Sequence, residues 1–208
     1  MNKSPSMNEK TRRDISLQLY RIEAIKFGKF TLTSGKSSPF YVDLRIVPSY
    51  PKLFEKITNL GTQIAKKEIG NIDQIAGVPT GGLPYATAIS QNLSLPLIYV
   101  RKEAKSHGRK KAIEGKLRKE NALIVDDTTT TGGSVKSAGE SVKEEGATVE
   151  NALVMVDREE GARENLREID IKLHTCFTIH EILEYLNEYS DLSEKKYSRA
   201  MDYLEKKS

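Results

Sequence analysis

The chain has 208 residues, 38% of them hydrophobic and 30% charged, with a formal net charge of +4. This length fits one domain with a core of its own. No apolar run approaches a membrane span, and residues 1–10 lack the apolar core of a signal peptide, so we expect no membrane partner. The mild positive charge does not by itself indicate nucleic acid. The single cysteine, Cys176, excludes an internal disulfide and favours a cytoplasmic location.

Hydrophobic spacing predicts a disordered tail at residues 1–10, a helix at 11–26, two short strands joined by a Ser/Gly turn, and a helix that begins at Pro51. After Pro51, strands and helices alternate, which is typical of a parallel sheet covered on both faces. The predicted strands are 29–33, 40–45, 74–78, 95–100, 122–125, 149–156 and 171–178. The predicted later helices are 82–92, 134–145 and 161–167, with two more in the tail at 179–206. We predict one α/β domain at 11–208 whose first strands form a small cap.

The stretch 121–135 carries the most chemical information. Residues 122–125 are an apolar run that predicts a buried strand, and Asp126 and Asp127 follow at its end. Residues 128–134 are all Thr, Gly or Ser and lead into a helix, so backbone N–H groups, hydroxyls and a helix N-terminus can hold a phosphate. The two carboxylates suit sugar hydroxyls, a metal ion or a developing cation. The stretch predicts a sugar-phosphate site, and an ordinary strand-to-helix turn is the alternative.

Ligands of such sheets lie beyond the carboxyl ends of the strands, and the loops after other strands also carry candidate ligand-binding residues. Residues 79–83 form a second glycine turn that enters a helix, which is a second candidate anion site. Residues 101–119 hold nine Lys or Arg against two Glu. We interpret them as a lid over a pyrophosphate, with a solvated loop or a nucleic-acid patch as alternatives; the lack of interleaved aromatics favours the lid. Arg158 is a candidate partner for a substrate carboxylate, with a surface ion pair as the alternative.

Four stretches together resemble a known family. Residues 125–132, Val-Asp-Asp-Thr-Thr-Thr-Thr-Gly, resemble the phosphoribosyl-pyrophosphate motif of type I phosphoribosyltransferases. Residues 27–41 resemble the amino-terminal signature of the orotate phosphoribosyltransferases, residues 100–108 their catalytic loop, and Asp157-Arg158 their orotate-contacting arginine. The resemblance implies a parallel twisted sheet flanked by helices, with an N-terminal hood at about 11–48, a core at about 50–178 and C-terminal helices at about 179–206.

The resemblance also implies an activity. Orotate and phosphoribosyl pyrophosphate would give orotidine 5′-monophosphate and pyrophosphate in de novo pyrimidine (UMP) biosynthesis. Mg²⁺ would be held mainly by the substrate, with Asp126 or Asp127 contacting it through water. A homodimer would share the catalytic loop across its interface, and no nucleic acid or membrane would be involved.

Residue roles follow from the same resemblance. The implied catalytic residues are Lys105, His107, Asp126 and Asp127. The implied phosphoribosyl-pyrophosphate contacts are Arg101, Lys102, Lys105, His107, Asp126, Asp127, Thr128, Thr129, Thr130, Thr131, Gly132, Gly133 and Ser134, with Thr80, Gly81 and Gly82 on the pyrophosphate side. The implied orotate contacts are Phe40, Tyr41, Thr130 and Arg158.

The chain departs from the family pattern at two positions. Many members carry a lysine where this chain has Thr33, and many bacterial members carry one where it has Gly81. A phosphate charge must then be met by other groups. Two rival functions remain: an enzyme of the same fold that takes another base, and a regulatory protein that uses the basic segment to bind nucleic acid. A steep salt dependence of nucleic-acid binding would identify the second rival.

Overall fold

The structure is a computed structural model that describes residues 9–31, 35, 37–101 and 113–206. Its strands form a two-stranded and a six-stranded sheet. The strands are β1 (Ile25–Thr31), β2 (Ser37–Val42), β3 (Gln74–Gly77), β4 (Leu97–Val100), β5 (Ile113–Glu114), β6 (Asn121–Thr129), β7 (Thr148–Asp157) and β8 (Lys172–Thr178). The larger sheet has the order β5-β4-β3-β6-β7-β8, and all its neighbours pair in parallel except β4 and β5. The predicted α/β class is therefore confirmed.

Seven α-helices surround the sheets in the described ranges. They are α1 (Glu9–Arg21), α2 (Pro51–Ile64), α3 (Gly82–Leu93), α4 (Gly133–Glu144), α5 (Ala162–Arg167), α6 (Ile179–Tyr189) and α7 (Glu194–Glu205). A 3-10 helix at Leu44–Ser49 precedes α2, and a π-helical turn at Ala65–Ile69 follows it. Pro51 opens α2 as predicted. Thr178 and Glu181 form a capping box that starts α6 directly after β8.

Two apolar cores lie on the two faces of the larger sheet. One joins α1, α2, α3, α6 and α7 to the small sheet, and the other lies under α4 and α5. The apolar faces of α2 and α4 are buried, as are Leu183 and Leu186 of α6. In α7 Leu204 is buried, while Tyr197 and Met201 are half-buried against the core. Because β3, β6 and β7 are parallel neighbours, their carboxyl ends lie at the same edge of the sheet, where ligands of such sheets bind.

The first helix differs from the prediction at both ends. It begins at Glu9, inside the predicted tail, and it stops at Arg21 rather than at residue 26. Glu23 has a φ of 59°, and the Ala24 N–H donates to the Leu19 carbonyl at 2.9 Å. A left-handed residue that closes the last turn in this way ends a helix, so Ile25 begins a strand instead. Residues 1–8 lie outside the described residues.

The second hood strand also ends earlier than predicted. β1 and β2 pair antiparallel, but β2 stops at Val42 rather than at residue 45. The Asp43 carboxylate accepts a hydrogen bond from the Arg45 backbone N–H at 3.1 Å and caps the following 3-10 helix. A capping aspartate satisfies helix N–H groups that a strand would direct sideways. The predicted strand 29–33 lies within β1 as far as Thr31, and its last residues lie outside the described part of the chain.

Strand β5 was not predicted. It has only Ile113 and Glu114, which pair with Val100 and Tyr99 of β4 at the sheet edge. Two residues are too few to show an alternating pattern. None of the helices in the described ranges is both long and apolar enough to cross a bilayer.

His174 of β8 is a structural residue. Its side chain is buried, and its Nε2 lies 2.9 Å from Asn151 Oδ1 on the neighbouring strand. Burial lowers the pKa of His174 to about 4, and the charges of Lys172 and Arg163 act in the same direction. The ring is therefore neutral in the folded protein at neutral pH.

We expect the stability of the protein to fall as the pH drops from about 6.5 to about 4. In this window the unfolded chain binds a proton at His174 and the folded chain does not, so acid favours unfolding by at most about 3 kcal/mol. The variant His174→Gln removes this part of the slope. The measurement is urea unfolding of both proteins across the window, with the exposed His180→Gln as control. Equal slopes for wild type and His174→Gln would contradict the assignment.

Candidate active site

The acid pair lies at the end of β6, which is longer than predicted. The predicted strand ended at Val125, whereas β6 continues through Thr129 because its neighbour β7 pairs with it as far as Asp157. Asp126 and Asp127 are 6% and 8% exposed. Asp126 Oδ1 accepts the Asp127 N–H, and Asp127 Oδ1 accepts the Thr128 N–H, both at 2.8 Å. The paired strand thus holds both carboxylates rigidly.

The environment of Asp127 opposes its negative charge. Burial raises its pKa, while hydrogen bonds from Asp126 and from backbone N–H groups, together with the charge of Arg45, pull the pKa back. A carboxylate in such a place gains most when a positive charge forms beside it. This is the electrostatic situation that a developing ribosyl cation would provide.

The glycine turn after β3 packs directly on the acid pair. The Val78 N–H donates to the Val125 carbonyl at 2.9 Å, which fastens the start of the turn to β6. A Cβ at Gly82 would lie 2.8 Å from Asp126 Cα, so only glycine fits there without a shift. A Cβ at Gly81 would lie 2.2 Å from Asp127 Oδ2. Many bacterial members of the family carry a lysine at the position of Gly81. Such a lysine therefore requires another position of the Asp127 side chain.

The predicted phosphate turn leads from β6 into α4. Gly132 has a φ of +82°, a conformation that glycine adopts without strain. Asn165 of α5 donates to the Thr131 carbonyl at 2.8 Å and holds the turn. Gly133 and Ser134 are exposed in the first turn of α4, where backbone N–H groups are not used inside the helix. Thr128 Oγ1 is buried and has no hydrogen-bond partner among the described residues. These groups stay candidate phosphate and ribose contacts.

Arg158 lies beside this turn, because its N–H donates to the Thr129 carbonyl at 3.0 Å. The side chain is 4% exposed, so the alternative of a surface ion pair is wrong. Its Nη2 lies 2.8 Å from Glu160 Oε1 and 3.4 Å from Ser38 Oγ, and the guanidinium stacks over the Phe40 ring at 5.1 Å. The structure thus brings two predicted orotate contacts, Phe40 and Arg158, together.

Arg45, directly after the hood strands, acts on the acid pair through its charge. Its guanidinium donates to both carboxylate oxygens of Asp43, at 2.7 and 2.8 Å, and to the Tyr41 hydroxyl at 3.0 Å. Its charge lowers the pKa of Asp127. Sequence reasoning placed Arg45 at the end of a strand and gave it no role. It lies four residues after the amino-terminal signature at 27–41, and no feature of the sequence around it indicates a role.

The predicted pyrophosphate residues fall into two groups. Arg101 follows β4 and forms an ion pair with Glu114 of β5, which the prediction did not include. Thr80 is exposed in the glycine turn. Lys102, Lys105 and His107, together with the centre of the predicted lid, lie outside the described residues, as does Thr33. Their roles stay predictions.

The carboxylates also bear on the expected Mg²⁺. The described residues contain no group of three or more His, Cys, Asp or Glu side chains arranged to hold a metal. Two buried carboxylates at an open edge fit an ion that takes most of its oxygen ligands from phosphates and water. Asp126 and Asp127 are the residues that would contact it.

Comparison with known proteins agrees with this geometry. The phosphoribosyl transferase domain family matches residues 49–189. An orotate phosphoribosyltransferase from Staphylothermus marinus is 40% identical over 197 residues, covering 95% of this chain and 96% of that protein. The crystal structure of orotate phosphoribosyltransferase from Aeropyrum pernix superposes with a TM-score of 0.78 at 36% identity, covering 84% of this chain and 98% of that one.

A longer protein contains the same unit. The structure of Leishmania donovani UMP synthase superposes with a TM-score of 0.85 at 31% identity, covering 93% of this chain but 42% of that one. By contrast, the match to the Staphylothermus marinus protein spans nearly the whole of both chains. The chain therefore belongs to the orotate phosphoribosyltransferase family, within the phosphoribosyl transferase domain family.

Proposed function

We propose that this enzyme transfers the 5-phosphoribosyl group from phosphoribosyl pyrophosphate to orotate, giving orotidine 5′-monophosphate and pyrophosphate in de novo pyrimidine biosynthesis. Family membership supports the reaction class and the acceptor. One observation carries the proposal within the structure. The buried pair Asp126 and Asp127 lies between two turns suited to anions, on the same strand whose Thr129 carbonyl accepts the N–H of the buried Arg158.

The site chemistry follows from the charges that the reaction creates. As the bond from ribose C1 to pyrophosphate breaks, positive charge grows on the ribose ring and negative charge grows on the leaving group. Asp126 and Asp127 stabilise the ribose. In the glycine turn after β3, the backbone N–H groups of Thr80 and Gly81 are the donors for the pyrophosphate, since the Gly82 N–H donates to the Val78 carbonyl at 3.1 Å. The turn at Thr130–Ser134 holds the 5′-phosphate. Each preorganised group of this kind contributes about 2.7–4 kcal/mol in a dry site.

The part of the site that binds orotate needs a cation, since orotate carries a carboxylate. Arg158 supplies a planar guanidinium that can hold a carboxylate or carbonyl through paired N–H groups. The half-buried Tyr41 can contribute apolar surface to the orotate ring, while Phe40 is fully buried and supports the Arg158 guanidinium instead. A ring nitrogen of orotate bonds to C1 as pyrophosphate leaves with the electrons of the broken C1–O bond, and the proton of that nitrogen passes to the pyrophosphate or to water. No covalent intermediate with the protein is required.

Mg²⁺, a homodimer and a cytoplasmic location complete the proposal. When bound, Mg²⁺ neutralises phosphate charge on the substrate. The fit of two carboxylates at an open edge supports it. The homodimer rests on the family resemblance, and the cytoplasmic location rests on the single cysteine, Cys176, which is free and buried.

We expect Lys105→Ala to lower kcat about 100-fold or more while raising the KM for phosphoribosyl pyrophosphate far less. A cation that meets the leaving group mainly in the transition state contributes to kcat rather than to ground-state binding. Steady-state kinetics with both substrates varied give the two constants. Lys119→Ala, at the end of the same basic segment and outside the motif, is the control. A normal kcat for Lys105→Ala would remove the assigned role.

An acceptor panel tests the proposed function. Purified protein is incubated with phosphoribosyl pyrophosphate and Mg²⁺, and the absorbance of orotate, adenine, hypoxanthine or uracil is followed. We expect a change with orotate only, and none when phosphoribosyl pyrophosphate is omitted. Reaction of another base with orotate inert would show that the substrate assignment is wrong.

A further inference from the structure

Arg158 forms an ion pair with a carboxylate, Glu160, that the reaction itself does not require. Glu160 lies two residues further along the chain, and its side chain is 7% exposed. Its Oε1 is 2.8 Å from Arg158 Nη2, an ion pair whose angle lies outside hydrogen-bond geometry. Arg158 thus enters the site as one half of a buried, nearly neutral pair.

The second oxygen of Glu160 is held by the last helix. The Tyr203 hydroxyl of α7 donates to Glu160 Oε2 at 3.3 Å. The Tyr203 ring also packs edge-to-face on Phe40, with the centroids 5.7 Å apart. Burial and the Glu160 charge raise the pKa of Tyr203, so its hydroxyl keeps its proton and acts as the donor. A chain of contacts therefore runs from α7 through Glu160 to the guanidinium.

The same contacts do not use the Nε donor of Arg158. Its Nε is buried and has no hydrogen-bond partner among the described residues. A buried N–H without an acceptor is unfavourable, and a ligand oxygen removes that cost. A long flexible side chain also loses conformational entropy when it is ordered, and here the order is present before substrate binds.

We propose that Glu160 and Tyr203 are positioning residues for the acceptor base. They fix the Arg158 guanidinium on the Phe40 ring so that its Nε–H is ready for an oxygen of the substrate. Helix α7 thereby becomes part of the base site, although it lies far from the phosphoribosyl motif in the sequence. The inference rests on the proposed function, since it names the residues that prepare the site for orotate.

The test is Tyr203→Phe, which removes one hydroxyl and keeps the ring on Phe40. We expect the KM for orotate to rise about tenfold, because a hydrogen bond to a charged group is lost. The KM for phosphoribosyl pyrophosphate and kcat should stay within about twofold, since the acid pair and the turns are untouched. Tyr197→Phe, the same change on the same helix at a half-buried site, is the matched control and should leave all three constants unchanged.

A second variant covers the case in which Tyr203→Phe fails to fold. Glu160→Asp keeps the charge but shortens the reach to Arg158 and Tyr203, and it should show the same selective rise in the KM for orotate. Stabilisation of each variant by phosphoribosyl pyrophosphate in a thermal melt reports an intact fold. An unchanged KM for orotate in a folded variant overturns the inference, as does an equal rise in both KM values. Inert orotate with the wild type would instead overturn the proposed function and the inference with it.

Discussion

Replacing Asp126 and Asp127 together by asparagine is expected to lower kcat by at least about a thousandfold, because two preorganised charges at the ribose are lost. The fold should survive, since asparagine has the same shape and its Oδ1 can still accept the Asp127 and Thr128 N–H groups. The pKa of Asp127 is raised by burial, so any stability that this group contributes is present below its unfolded pKa and is lost as the pH rises. At neutral pH the charge of Asp127 opposes folding. The melting temperature of the double variant should therefore equal or exceed that of the wild type.

The matched control is Asp73→Asn. Asp73 accepts the Asn121 N–H at 3.0 Å, at the opposite end of β6 from the acid pair. Its replacement should leave kcat unchanged. Steady-state rates and thermal melts of the three proteins make the comparison. A double variant that keeps more than about a tenth of the wild-type kcat would remove the acid pair from the mechanism.

The second large effect is expected for stability at the buried pair of Arg158 and Glu160. Arg158→Met should destabilise the protein by about 3–5 kcal/mol, because it leaves the Glu160 carboxylate buried without its cation. Adding Glu160→Gln should restore most of the loss, since the double variant buries no charge. Denaturant unfolding of the wild type, the single variants Arg158→Met and Glu160→Gln, and the double variant gives the coupling energy between the two sites.

A surface pair provides the control for this experiment. Lys26 and Glu23 form an ion pair with side chains 47% and 73% exposed, so Lys26→Met should cost no more than about 1 kcal/mol. If Arg158→Met costs no more than this control, the pair does not act as a buried unit. The base site would then lack the rigid arginine on which the positioning role of Glu160 depends.

The sequence was sufficient for the parts of the molecule whose signals are local. Apolar runs and helical spacing predicted the alternation that builds the sheet, because both faces of β6 and β7 are buried and their residues are accordingly apolar. The acid pair and the turn after it were visible for the same reason, since all their residues are consecutive. Errors occurred where capping decided the boundary, as at Glu23 and Asp43.

The contacts that connect distant segments were not visible. Tyr203 is 43 residues from Glu160, and in the sequence it belongs to an ordinary amphipathic helix. Arg45 was predicted to end a strand, and its effect on the pKa of Asp127 was not predicted. Nothing in the pattern around either residue depends on its partner, because each contact forms only after the sheets and helices pack.

Phosphorus NMR of a single reaction mixture tests the central claim most directly. The mixture contains the wild-type protein, phosphoribosyl pyrophosphate, orotate and Mg²⁺, and a parallel mixture contains the variant with asparagine at Asp126 and Asp127. We predict that the signals of pyrophosphate and orotidine 5′-monophosphate grow in equal amounts with the wild type, only when orotate is present, and not with the variant. Release of pyrophosphate without orotate, or equal product formation by the variant, would contradict the account.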